Sequence, residues 1–221
     1  MSPDFEYFFK MSVSSVHSHT LAGLFYFDLP VTLFISIVFH QIAKRNLINS
    51  LPVFISRKFQ HTLELDFIGY LKTHMWIFLT SSLLGAASHI FWDSFTHNDA
   101  FFVKMLPIYK TTYVPYDGVR YPLFYALQHI STWVGLTIVC VYVLAMKDWP
   151  LNTHSSQKFL YWTILITIAT VVTWVRIQMR PLGTDIGNLI VSIISGLLLA
   201  LVCCGFINFK QTNIAQESLD G

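Results

Sequence analysis

Apolar residues fall into five long blocks separated by shorter polar stretches, at about residues 24–43, 75–94, 123–146, 159–179 and 187–209. Each is close to the ~20 residues that a membrane-spanning helix requires. The pattern predicts an all-α, polytopic helical membrane protein with about five transmembrane helices. Pro30, early in the first block, either sits at a helix start or kinks the helix. Gly85-Ala86-Ala87-Ser88 in the second block is a small-residue patch where another helix can approach closely. Residues 211–221 read as a polar tail with frayed structure. No repeat, low-complexity segment or linker divides the chain, so one helical domain over residues 1–221 is expected.

The second block ends in a polar exception. His89, Asp93 and His97 recur every fourth residue, which places them on one slowly drifting stripe of a helix. Ionisable groups in a spanning segment are costly and mark a function or a pairing. Two imidazoles flanking a carboxylate supply neutral nitrogen donors and an anionic oxygen, the ingredients of a divalent metal site. Asp93 either binds the metal or orients an imidazole through its second N–H. The alternative is a hydrogen-bonded cluster that pins helices together.

Five spans alternate in direction, so distant residues meet at one face. On the side that holds the N-terminus lie Asp4, His17 and His19, with Asp28 near the start of the first span. The second span ends there with residues 92–97, the third begins there with Gln128 and His129, and the fourth ends there with Arg176 and Arg180. Of His17 and His19, two apart, we expect only His19 to reach a site, because the apolar run starts directly after it. Asp4, next to Pro3, has by spacing alone the pattern of a helix N-terminus. His129 reads equally as an interfacial histidine or as a site residue, and the convergence on one side favours the second. Arg176, Arg180 and Asp185 either bind an anionic group or pair with one another or with lipid head groups. His40, His61, His74 and His154 fall on the other side and read as ordinary interface or surface residues.

Composition narrows the class further. Hydrophobic residues make up 54% of the chain and charged residues only 12%, about half the charge of a soluble domain. A net charge of +2 gives no reason to expect nucleic acid as a partner, whereas membrane lipids are expected ones. The three cysteines lie inside apolar blocks and read as small hydrophobes. Eight basic residues fall on the side opposite the N-terminus and six on the N-terminal side. Positive charge favours the cytoplasmic face, which points to a cell inner membrane protein with the His/Asp residues outside.

Four blocks carry a resemblance. They are Met1-Ser2-Pro3-Asp4-Phe5-Glu6-Tyr7; His19-Thr20-Leu21-Ala22-Gly23-Leu24-Phe25 with Phe27-Asp28-Leu29-Pro30; Asp93-Ser94-Phe95-Thr96-His97; and Leu127-Gln128-His129 with Ser131 and Gly135. As a set they resemble a bacterial membrane family, domain of unknown function 4184, over nearly the whole chain. The resemblance implies a multi-pass membrane protein and brings no established activity. It also implies a segment upstream of Met1 containing Ser-His-Pro, and with it one more histidine. More distantly, the order Pro-Asp, His-Thr, His-x-x-x-Asp with a following His, then another His is similar to membrane-bound metal-dependent hydrolases of the DNA-damage response. It is also similar to the helical zinc-dependent phospholipase C and single-strand nuclease superfamily. Carried over, Asp4, His19, His89, Asp93, His97 and His129 are the implied ligands of a divalent metal, zinc, with Asp4 and Asp93 the implied catalytic carboxylates. In the phospholipases a glutamate follows the last histidine by four residues. Trp133 stands there in this chain, so the resemblance does not carry over a complete trinuclear zinc site.

Two functions from different classes follow. One is a membrane-embedded zinc hydrolase of phosphoester or lipid-like substrates, with Phe101, Phe102, Tyr109, Tyr113, Tyr116 and Tyr121 at the interface admitting a lipid. The other is a non-enzymatic membrane protein in which Asp28, His89, Asp93 and His129 form a proton or cation pathway or pin helices. The lack of a repeat counts against transport.

Overall fold

The computed structural model describes residues 2–151, 153–180 and 186–213. Five helices in it are long and apolar enough to cross a membrane: Leu24–Ser50, Phe67–Met105 (with its continuation beyond Thr96), Leu123–Ala145, Lys158–Met179 and Ile186–Gly205. We call them the first to fifth spans. Their apolar side chains face outward, as a hydrocarbon surround requires: Trp76, Leu84, Trp133 and Phe159 are all exposed, and the third span buries no residue at all.

The first span is longer than its apolar block. It continues to Ser50 because its last polar side chains satisfy carbonyls of neighbouring segments. Lys44 Nζ donates to the Thr62 carbonyl at 2.7 Å, and Asn46 Nδ2 donates to the carbonyls of Cys204 and Ile207 at 2.9 and 3.0 Å. Proline lacks an N–H and crowds the carbonyl four residues back. Pro30 accordingly follows a π-helical turn, Leu24–Asp28, closed by the Leu29 N–H on the Leu24 carbonyl. That wide turn buries Leu24 and Asp28 while Phe25 and Tyr26 face outward. The second span is helical from Phe67 to Thr96, with one non-helical residue at His74.

The closest helix pairing joins the fourth and fifth spans. Their shared core is Tyr161, Leu165, Ala169, Ala200 and Cys204, with Phe209 beyond the helix end. A Cβ on Gly196 would lie 2.8 Å from the Ala169 carbonyl, so the backbones meet where no side chain intervenes. Within the small-residue patch at 85–88, Ala86 is buried, but no close approach occurs at Gly85. Nothing lies within 4 Å of a Cβ placed there, and Gly85 instead lines a cavity of about 250 Å³ with Ser2, Phe5, Thr32, Ser36 and Ser82.

The end of the bundle away from Asp4 is tied by a small ladder. Strand β3, Thr153–Ser155, pairs antiparallel with β4, Gln211–Asn213. The expected frayed tail is therefore ordered at its start, and residues 214–221 lie outside the described residues. At the other end a hairpin, Tyr113–Tyr116 with Val119–Pro122, precedes the third span. Its loop residues Asp117 and Gly118 have φ of 51° and 73°; positive φ at both central positions is the geometry that two-residue hairpins favour.

Candidate metal centre

The site is built by residues 2–23 folding back onto the spans. A short helix α1, Phe5–Lys10, ends at Met11 in a left-handed conformation, and the chain then turns through residues 12–23. Glu6 organises this turn. Buried to 3% exposure, its carboxylate accepts the backbone N–H groups of Val16, His17 and Ser18 at 2.8–3.0 Å and pairs with Lys10. Burial pushes the Glu6 carboxyl up, but the Lys10 ammonium and the three N–H donors outweigh it and hold the group well below the usual carboxylate range. Burial also raises the Tyr7 phenol.

The folded segment is anchored to the fourth and fifth spans. Arg176 donates from Nε and Nη2 to the Met11 carbonyl at 3.2 and 3.0 Å, and Ser195 Oγ donates to the Phe8 carbonyl at 2.8 Å. Arg176 thus holds the N-terminal segment in place, and Nη1 also donates to the Arg180 carbonyl. The third member of that expected group, Asp185, lies outside the described residues.

This scaffold brings Asp4, His19, His89 and Asp93 together. Asp4 occupies the N-cap of α1, as its spacing predicts, yet its side chain makes no capping bond. The carboxylate turns to the second span instead, with Oδ1 3.3 Å from His89 Nε2. Asp93 Oδ2 lies 3.1 Å from the same nitrogen and 3.4 Å from His19 Nε2. Donor atoms of Asp4, His19 and His89 all fall within 4.8 Å of one another. His89 Nε2 is buried between two carboxylates, but misaligned for a hydrogen bond to either. The opposite nitrogen of His19, Nδ1, faces Ser18 Oγ at 2.9 Å, and Tyr7 stacks on the ring at 5.2 Å. Such outer contacts fix an imidazole so that its free nitrogen points at a metal.

The other sequence candidates lie outside this group. His17 turns away to the Tyr26 hydroxyl at 3.0 Å. His97 follows the last helical residue with φ −116° and ψ 139°, so the every-fourth-residue stripe breaks there. Its Nδ1 is 3.8 Å from Asp93 Oδ1, and its side chain is 48% exposed. His129 is exposed and packs edge-on against Tyr125 at 4.4 Å; among the described residues no ion pair joins it to the group. Trp133, one turn further, is 70% exposed. Of the six expected residues, Asp4, His19 and His89 group within 4.8 Å and Asp93 lies against both imidazoles, whereas the second span ends at Thr96 before His97 and His129 is exposed on the third. Glu6 and Ser18 were not foreseen as supports, because a first-turn acid and a loop serine carry no signal in the sequence.

Five apolar helices, with a His/Asp group formed where the N-terminal segment meets the second span, define the class, a helical membrane-type protein with a candidate metal centre. The chain belongs to the family described as domain of unknown function (DUF4184), whose family model matches residues 1–206. Neither the curated proteins nor the solved structures contained a match to the chain.

Proposed function

We propose that Asp4, His19, His89 and Asp93 hold one divalent cation, zinc by their donor types, and that the protein is a metal-dependent hydrolase of phosphoester or lipid-like substrates at the membrane face. The spacing around His89 Nε2 carries this reading. Ligands ~2.0–2.1 Å from a tetrahedral zinc stand about 3.3 Å apart. His89 Nε2 lies 3.1 Å from Asp93 and 3.3 Å from Asp4, and His19 Nε2 lies 3.4 Å from Asp93. The three residues whose donor atoms are all within 4.8 Å of one another are Asp4, His19 and His89. Two imidazoles and two carboxylates on one cation match zinc chemistry. When bound, such a cation lowers the pKa of a coordinated water to about 7 and polarises a phosphoryl oxygen. Asp4 and Asp93 would share the work of holding the cation and accepting the water's proton. The exposed aromatic residues Phe101, Tyr113 and Tyr116, on the same side, suit a substrate that arrives from the lipid interface.

A second reading rests on Asp93, which reaches both imidazoles and could pin the N-terminal segment to the second span as an ion pair. Metal analysis of the detergent-purified chain separates the two. We expect one or more zinc ions per chain, and chelator-sensitive hydrolysis of an aryl phosphodiester or of phospholipid in mixed micelles. Protein that binds no divalent metal would leave only the pinning reading. Protein that binds zinc but hydrolyses nothing would keep the metal centre and remove the hydrolase.

A further inference from the structure

The first and fifth spans touch near the end away from Asp4. A Cβ on Gly205 would lie 2.7 Å from the Ile42 carbonyl, so the two backbones meet there. Nearer the His/Asp group, α1 packs on the fifth span, its Phe8 carbonyl held by Ser195. Between these two contacts lies a groove of about 650 Å³, a volume in the range of small-molecule sites. Phe5, Phe8 and Phe9 of α1 form one wall. Phe34, Val38 and Ile42 of the first span form the second, and Leu198 and Val202 of the fifth form the third. Ala43 is buried, whereas Phe9, Phe34 and Leu199 are exposed, so the groove has a closed floor and an open outer side.

The chemistry of the walls selects the occupant. Among the described lining residues none is charged, and Ser195 alone carries a hydroxyl. That hydroxyl is already engaged with the carbonyls of Phe8 and Val191 at 2.8 and 2.7 Å. At 1.5 Å per residue, the lining stretches lie about 15–28 Å along the first span and about 18–24 Å along the fifth, which is hydrocarbon depth. A water-soluble ligand would lose its hydrogen bonds there without replacement, whereas a hydrocarbon chain has none to lose. The polar end of such a ligand also has a place. Phe5, in the groove wall, follows directly on Asp4, whose carboxylate lies 3.3 Å from His89 Nε2. We propose that the groove takes one acyl chain of a membrane phospholipid with its head toward the His/Asp group, so that the substrate class of the centre is a long-chain lipid phosphoester. The short helix α1 then joins the two, with its phenyl rings on the chain and its N-cap carboxylate at the head. The acyl site stands on the groove alone, and the substrate class rests on the reading of the group as a hydrolytic metal centre.

Photolabelling tests the acyl site without any metal. Full-chain protein in detergent is mixed with phosphatidylglycerol carrying a diazirine at the end of one long acyl chain and irradiated, and the adducts are mapped by peptide mass spectrometry. Labelling should saturate and fall on groove residues such as Val38, Leu198 and Val202. Excess unlabelled long-chain phosphatidylglycerol should compete, and a short-chain analogue with the same head should not. Val38→Trp, which fills the groove, should bind the probe about tenfold more weakly while eluting as wild type in gel filtration. Ile138→Trp, on the exposed face of the third span, should label like wild type. In hydrolysis, Val38→Trp should raise KM for the long-chain lipid about tenfold and leave the short-chain lipid unchanged. Wild-type adducts spread evenly over outward residues such as Ile138 and Ile166 would overturn the acyl site, and this arm needs no variant. Val38→Trp that labels like wild type, or a wild-type dimer that excludes the probe, would overturn it too. Groove labelling without hydrolysis of any lipid would confirm the acyl site and remove the hydrolase. Hydrolysis of long and short chains at equal KM would overturn the substrate class.

Discussion

At the residue scale, the centre depends on side chains that look alike in sequence and differ in aim. His89→Ala and Asp93→Ala should abolish zinc retention while the protein still inserts, because removing a polar group from a span eases insertion. His17→Ala and His154→Ala should retain zinc, since His17 turns to Tyr26 and His154 lies in the ladder at the opposite end. Elemental analysis after gel filtration reads all four. Ser18→Ala, which removes the contact on His19 Nδ1, should weaken zinc about 10–100-fold. Because imidazoles bind metal only when neutral, retention should fall as pH is lowered.

Glu6 makes a different prediction, about stability. Its folded carboxyl is held below the ordinary range, so its contribution is complete above the unfolded value of about 4.3 and is lost as pH falls toward the folded value. Glu6→Gln leaves three N–H donors facing an amide and should cost about 1–3 kcal/mol near neutral pH. Thermal unfolding in detergent should therefore show wild type and Glu6→Gln converging as pH is lowered from about 5 toward 3. Curves that stay parallel would show that Glu6 does not hold this loop.

At the element scale, helix contacts are decided by where backbones meet and not by how many small residues a stretch contains. Gly196 and Gly85 look equivalent in an apolar run. Only Gly196 lies against a neighbouring backbone, with Thr173 Oγ1 also 2.9 Å from a built Cβ. Gly196→Val should destabilise by about 1–3 kcal/mol through overpacking, whereas Gly85→Ala should be neutral or slightly stabilising. Denaturation of the two variants under one detergent condition checks this. A Gly85 variant that unfolds first would mean the second span is packed elsewhere than described. Gly23 carries the same logic into the loop: its Cβ would run into the His17 carbonyl, so Gly23→Ala should displace His19 and lower zinc retention.

At the scale of the whole molecule, the alternation of five spans requires that Asp99 and Glu64 lie on opposite faces of the bilayer. Both are exposed, whereas Asn46 and Asn49 are buried in the hydrogen bonds that close the far end. In a cysteine-free background, Asp99→Cys and Glu64→Cys should label from opposite sides of sealed vesicles. Labelling from the same side would refute the arrangement, and the side on which Asp99→Cys reacts would give the orientation.

The division between sequence and tertiary structure follows from the range of the forces involved. Five spans were legible because a long apolar run has one stable environment, and its length alone states the helix. The pairing of His89 with Asp93 was legible because i and i+4 share a face of any helix, whatever surrounds it. The convergence of Asp4 and His19 on that pair was visible only as a tendency of alternating spans to bring their ends together. What the sequence could not state was the end of the stripe at Thr96, which removes His97, or the outward rotation of the third span, which removes His129. Nor could it state that Asp4 leaves its cap, that Glu6 ties the loop bearing His19, or that a π turn before Pro30 buries Asp28. Those outcomes rest on contacts between segments far apart in the chain, such as Arg176 on Met11 and Ser195 on Phe8. Local spacing carries no information about such contacts, so only the packed structure selected which ligand-type residues share a centre.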